Sequence, residues 1–149
     1  MDTDTEDVIL AVDDELPLLE AIAEYLRPLG YTVLTASSGA QAIELGKQYA
    51  GTLRLVIMDV MMPDELGPVI VDELLQGNPE LRVIYLSGYA KDESMYTGIS
   101  KLPMAMLRKP CLLSELEKKV ADLMNFRDVV DVPTLPPFEL PADDKTRHF

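Results

Sequence analysis

The 149-residue chain has no tryptophan, one cysteine, one histidine and half as many cations as carboxylates, 13 Lys and Arg against 26 Asp and Glu. Each shortage closes off a class of function. A net charge of −13 argues against a nucleic-acid binder, because backbone affinity comes from clustered Lys and Arg that release counterions. The lone Cys111 excludes an internal disulfide and gives no sign of an oxidising compartment. It reads as a small, buried or half-buried side chain after Lys109–Pro110. The single histidine, His148, lies almost at the end of the sequence and reads as incidental. Aromatics make up 6% of the chain against 48% hydrophobic residues, so the core is expected to be aliphatic. No apolar run approaches the length of a membrane span, and the opening MDTDTED is acidic where a signal peptide would be basic. The expectation is a cytoplasmic protein with neither a membrane nor a nucleic-acid partner.

What is present is a set of short aliphatic runs, each ending in a polar residue. VILAV at 8–12 ends in Asp13, Asp14 and Glu15, and LRLVIMD at 53–59 ends at Asp59. Continuous apolar runs of this length, bounded by turn signals, read as strands buried on both faces of a parallel sheet. LRVIYL at 81–86 runs into Ser87–Gly88–Tyr89, and the brief run Ala105–Leu107 is followed by Arg108–Lys109–Pro110. Tyr31–Ala36 alternates like an edge or half-buried strand.

Helix signals separate the strands. Pro17 opens a helix carrying Leu19, Ile22, Ala23 and Leu26 at helical spacing, and Gly30 stops it. Ala42, Ile43 and Gly46 mark a second helix. Ile70, Val71, Leu74 and Leu75 mark a third, which begins near Pro68 and breaks at Gly77–Asn78–Pro79. AKDESMYTGIS at 90–100 is weakly helical, with Met95 and Ile99 as its anchors, and is expected to be short and mobile. The last helix is expected to start at Ser114, whose hydroxyl would cap it while Glu117 reaches back. Leu113, Leu116, Val120 and Leu123 form its apolar stripe. Strands alternating with helices predict an α/β, (βα)5 doubly wound sandwich on a five-stranded parallel sheet, flavodoxin-like. The domain is expected over 7–127. Residues 1–6 would be an extension. Residues 128–149 hold four of the eleven prolines and would be an extended or disordered tail.

Parallel strands end on a common edge, so four exits converge: Asp13 and Asp14, Asp59, Ser87, and Lys109. Three carboxylates brought together repel unless a cation neutralises them. Oxygen-only ligands suit Mg²⁺, which is held by one or two carboxylates plus phosphate oxygens. Asp13 and Asp14 would hold the metal with Asp59, helped by the backbone carbonyl of Met61. Asp59 would be the nucleophile toward phosphorus, Lys109 would pair with a phosphoryl oxygen, and the Ser87 hydroxyl would donate to another. Each residue also has a plain structural reading: acids complementing a helix dipole, an ordinary turn at Ser87–Gly88, a surface lysine before a proline.

VDDE at 12–15, MDVMMP at 58–63, SGY at 87–89 and KP at 109–110 resemble the receiver domain of two-component response regulators. The resemblance covers about residues 7–127. It implies phosphorylation of Asp59 by a histidine kinase or phosphotransfer protein, dependence on Mg²⁺, and a switch read through the fourth helix and fifth strand by a downstream protein partner. A homodimer is compatible with it. LGP at 66–68 and SGYA at 87–90 are most similar to receivers of hybrid sensor kinases or related stand-alone receivers.

Two positions depart from the family pattern. Met106 stands where transcription-factor receivers carry Tyr or Phe, so output is expected to use the 91–100 segment without rotation of a ring. Glu65 replaces a frequent Met and adds negative charge near the site. No helix-turn-helix or cyclase motif follows, so the expected output is a protein contact, unless the sequence is part of something longer. Met61 and Tyr89 are bulky and flank the site, which predicts a long-lived phosphoryl group. Two rivals remain. One is a degenerate receiver that binds partners without phosphorylation. The other is an aspartate-nucleophile phosphohydrolase, although the second acid such enzymes generally use would fall at Met61.

Overall fold

The computed structural model describes residues 7–88 and 104–125. Its strands are β1 (Val8–Val12), β2 (Thr32–Ala36), β3 (Leu53–Asp59), β4 (Arg82–Ser87) and β5 (Met104–Arg108). Four helices accompany them among the described residues: α1 (Leu16–Leu26), α2 (Gly39–Gln48), α3 (Gly67–Gly77) and α4 (Leu113–Met124). A 3₁₀ turn over Arg27–Leu29 extends α1, and Gly30 ends it at φ 107°, a left-handed conformation that glycine adopts without a Cβ penalty.

All four strand pairings are parallel, in the order β2-β1-β3-β4-β5. This is the flavodoxin-like order, in which the chain reverses direction across the sheet between β1 and β3. The predicted architecture therefore holds. The segment 90–100 and the tail 128–149 lie outside the described residues.

The strand sequences explain the two-sided core. Side chains alternate along a strand, so β3 sends Val56 and Met58 to one face and Leu55 and Ile57 to the other. In β1, Leu10 and Val12 join the first layer, while Ile9 and Ala11 join the second. Ile70, Val71 and Leu74 of α3 and Ala42 of α2 cover the first layer. Leu19, Ile22 and Leu26 of α1 and Leu116, Val120 and Leu123 of α4 cover the second. Tyr85 is the one aromatic residue buried in the described core, so the layers are aliphatic as composition indicated.

Several boundaries differ from the sequence reading, with β2 starting at Thr32 and β4 at Arg82, each one residue later than expected. β4 runs one residue further and includes Ser87, because Ser87 continues the register opposite Arg108. β5 is longer than Ala105–Leu107 and only half-buried. The cap of α4 lies at Leu112, not Ser114: the Leu112 N–H donates to Glu115 Oε1 at 3.3 Å, and Ser114 falls inside the first turn. The helix therefore starts two residues earlier than a Ser114 cap would place it, with the Glu115 carboxylate on the Leu112 N–H and Leu116, Val120 and Leu123 of the predicted stripe buried.

Candidate functional site

The carboxyl ends of β1 and β3 lie side by side, with Val12 paired to Met58, and each strand is followed by acid. Asp13 is 1% exposed and Asp59 7%. Asp14 is exposed. Carboxylate oxygens of Asp13, Asp14 and Asp59 all lie within 4.8 Å of one another. Predicted from separate segments, the three acids form one cluster at the switch point of the sheet.

Lys109 reaches the same cluster from the end of β5. Its Nζ lies 2.9 Å from Asp13 Oδ2, 3.7 Å from Asp59 Oδ2 and 3.8 Å from Glu15 Oε1. The Lys109 N–H also donates to the Ser87 carbonyl at 2.7 Å, tying the lysine's backbone to the end of β4. Ser87 is fully buried there. Met61 N–H donates to Asp59 Oδ1 at 3.4 Å, and its side chain is 46% exposed beside the cluster. Tyr89 lies outside the described residues. Met106 is exposed on β5, and Glu65 is exposed in the loop after Asp59.

Electrostatics follow from this crowding. Burial pushes the Asp59 carboxyl up from its ordinary 3.8 to about 6; the Asp13 charge adds to the rise, while Lys109 and the Met61 N–H pull against it. Burial works against the Lys109 ammonium, yet the carboxylates of Asp13, Asp59 and Glu15 outweigh it and raise its pKa. Cys111 is half-buried as expected, and burial raises its thiol. A buried acid cluster holding one ammonium and more than one carboxylate is short of positive charge. Its donor set, oxygen from three carboxylates, fits a hard divalent cation such as Mg²⁺.

The loop between β3 and α3 is shaped to bring backbone close to Asp59. Gly67 N–H donates to the Val60 carbonyl at 2.7 Å, and Met61 and Leu66 form an antiparallel bridge. A Cβ on Gly67 would collide with the Asp59 carbonyl oxygen and press on Met58 Cγ at 2.9 Å. Only glycine lets α3 start this near the strand exit.

Two residues of the site were not identified from the sequence. Glu15 was read with the acids after β1 but given no role, and it faces Lys109. Asp64 stands in the stretch MMPDELG, and its carboxylate reaches the start of α2. Nothing in a linear sequence pairs residue 64 with residue 39; that contact exists only once α2 and α3 pack together.

An open parallel α/β sandwich with an acid cluster and a lysine at its topological switch point gathers its ionisable groups at the strand ends. The chain belongs to the response regulator receiver domain family, whose profile matches residues 9–121. It is 32% identical over 120 residues to the sensor kinase CckA of Brucella abortus, covering 80% of this chain and 13% of that protein. It is 29% identical over 124 residues to the probable transcriptional regulatory protein TcrX of Mycobacterium tuberculosis, covering 83% of this chain and 52% of that one. The chain thus spans about half or less of the length of these relatives. Among solved structures it resembles the receiver domain of the hybrid histidine kinase CckA, with a TM-score of 0.68 at 30% identity over 79% of this chain and 99% of that one. It also resembles a response regulator receiver protein from Sinorhizobium medicae, with a TM-score of 0.72 at 29% identity over 83% of this chain and 98% of that one. The family expected from VDDE, MDVMMP, SGY and KP is therefore the family found. Among the described residues no helix is long and apolar enough to cross a membrane.

Proposed function

We propose that the chain is a phospho-accepting receiver of a histidine-to-aspartate phosphorelay in which Asp59 carries the phosphoryl group. One observation carries the reading: three carboxylates meet within 4.8 Å at the switch point, with an ammonium 3.7 Å from the acceptor acid. A histidine kinase or phosphotransfer protein is the donor. An Asp59 oxygen forms a new bond to phosphorus as the donor's phosphorus–nitrogen bond breaks, and the histidine nitrogen keeps that electron pair. Asp13, Asp14, Asp59 and the Met61 carbonyl hold Mg²⁺, which when bound neutralises charge on the carboxylates and on the phosphoryl oxygens. Lys109 exchanges its contact with Asp13 for one with a phosphoryl oxygen, and the Ser87 hydroxyl donates to another.

The domain spans 7–127, and the reading places it in the cytoplasm. The half-exposed Met61 side chain shields Asp59 from attacking water, so the phosphoryl group is long-lived. With Met106 at the usual aromatic position, output to a downstream protein runs through the 91–100 segment without rotation of a ring. No separate catalytic activity is assigned.

Beryllofluoride, a phosphoryl mimic, tests the site when added with Mg²⁺ while backbone amide shifts are followed. Shifts at Asp13, Ser87 and Lys109 are expected in the wild type and absent in Asp59→Asn. A wild type that does not respond would sink the switch reading, and steady hydrolysis of a small phosphate ester would favour the phosphohydrolase instead.

A further inference from the structure

The first four N–H groups of a helix have no partner within it and must find one elsewhere. In α2 the Ser38 side chain serves one of them, its Oγ accepting from Gln41 N–H at 3.1 Å, while the Ser38 carbonyl accepts the first helical bond from Ala42 N–H at 3.0 Å. Two more, on Gly39 and Ala40, point at a different loop. Asp64 Oδ1 accepts from Gly39 N–H at 3.0 Å, and its Oδ2 accepts from Ala40 N–H at 3.2 Å.

This contact is built for. A Cβ on Gly39 would lie 3.2 Å from Asp64 Oδ1 and 2.8 Å from Ile70 Cδ1, so a side chain at 39 would push against both the carboxylate and α3. The Gly39 and Ala40 amides hold the Asp64 carboxyl below the usual carboxylate range, as expected for an anion on oriented N–H groups. Asp64 is an exposed residue, yet both of its oxygens are committed.

Asp64 also lies at the tip of the loop that leaves Asp59. The base of that loop is closed by the Met61–Leu66 bridge and the Gly67 to Val60 hydrogen bond. Its tip is fixed by the Asp64 carboxylate. Met61, whose carbonyl is assigned to the metal, is itself one side of the base bridge and leads directly to the tip that Asp64 fastens.

We infer that Asp64 is a positioning residue: by fastening the loop after Asp59 to the first turn of α2, it holds the Met61 carbonyl where a divalent cation can use it. The inference rests on the reading of the site given above. It makes α2 part of the metal site without touching the metal.

The test uses the full chain and Mg²⁺ alone, titrated while amide shifts are followed, with thermal midpoints measured in parallel. Asp64→Ala is expected to weaken Mg²⁺ binding about 10-fold, the lower end of the effect of losing a group that orients a metal ligand. Asp64→Asn keeps one acceptor oxygen, but its amide NH₂ faces the Ala40 N–H, so an intermediate affinity is expected. Equal Mg²⁺ affinity in wild type, Asp64→Ala and Asp64→Asn would overturn the inference and leave the metal site standing. Should Asp64→Ala not fold, Asp64→Asn against wild type decides alone: weaker binding supports the inference and equal binding overturns it. A wild type blind to Mg²⁺ would overturn the metal site and the inference together.

Discussion

Lys109 Nζ lies 2.9 Å from Asp13 Oδ2, nearer than to the proposed acceptor Asp59, from which it stands 3.7 Å. The ammonium is thus committed to the acid that follows β1 while Asp59 keeps a raised pKa of about 6. Without a cation the cluster is electrostatically unsatisfied, and the account turns on relieving it.

Replacing Asp59 by Asn should stabilise the metal-free protein at neutral pH. Its folded pKa of about 6 lies above the ordinary 3.8, so the folded state holds the proton more tightly than the unfolded state. The wild type therefore loses stability as pH rises from about 4 to about 6, and the full penalty stands above that. Urea unfolding without metal should show Asp59→Asn more stable by on the order of 2 kcal/mol at pH 7 and nearly equal at pH 4. A variant less stable than wild type at pH 7 would contradict this.

Lys109→Gln should act in the opposite direction. It removes the ammonium from beside two buried carboxylates, so the metal-free variant should lose about 1–2 kcal/mol at neutral pH. Added Mg²⁺ should restore more stability to this variant than to wild type, because the cation relieves a larger imbalance. Thermal melts with and without Mg²⁺ measure the difference; identical Mg²⁺ effects in both proteins would count against it.

Two glycines separate a rigid contact from a yielding one. At Gly67 an added methyl meets the Asp59 carbonyl and the Val60 Cα, both backbone. At Gly46 it meets Leu74 Cδ2, the end of a side chain that can turn away. Gly67→Ala should cost about 2–3 kcal/mol and Gly46→Ala less than about 1 kcal/mol, the second cost falling because alanine also favours the helix. Chemical denaturation gives both values, and a reversed order would refute the close approach of α3 to the strand exit.

Much of this architecture was legible in the sequence because buried parallel strands announce themselves as aliphatic runs. VILAV and LRLVIMD each ended in acid, so β1, β3 and their exits were placed from composition and topology rules alone. Ser87 and Lys109 followed from the same rule applied to weaker runs. Chain ends of elements were harder. Ser114 with Glu117 offers a reciprocal capping box in the sequence, whereas the observed start at Leu112 has only the Glu115 carboxylate accepting from the Leu112 N–H, since leucine carries no side-chain acceptor to mark it. Asp64 was unreadable for a different reason. Its partners, Gly39 and Ala40, lie 25 and 24 residues away, and no local pattern marks a helix whose remaining first-turn N–H groups are met by another loop.

The most direct measurement is the intact mass of the full chain after incubation with acetyl phosphate, with and without Mg²⁺, for wild type and Asp59→Asn. The account predicts one added phosphoryl group on the wild type, dependent on Mg²⁺, located at Asp59, slow to leave once the acetyl phosphate is removed, and absent from Asp59→Asn. A wild type that gains no mass, or an Asp59→Asn variant that gains the same mass, would contradict it.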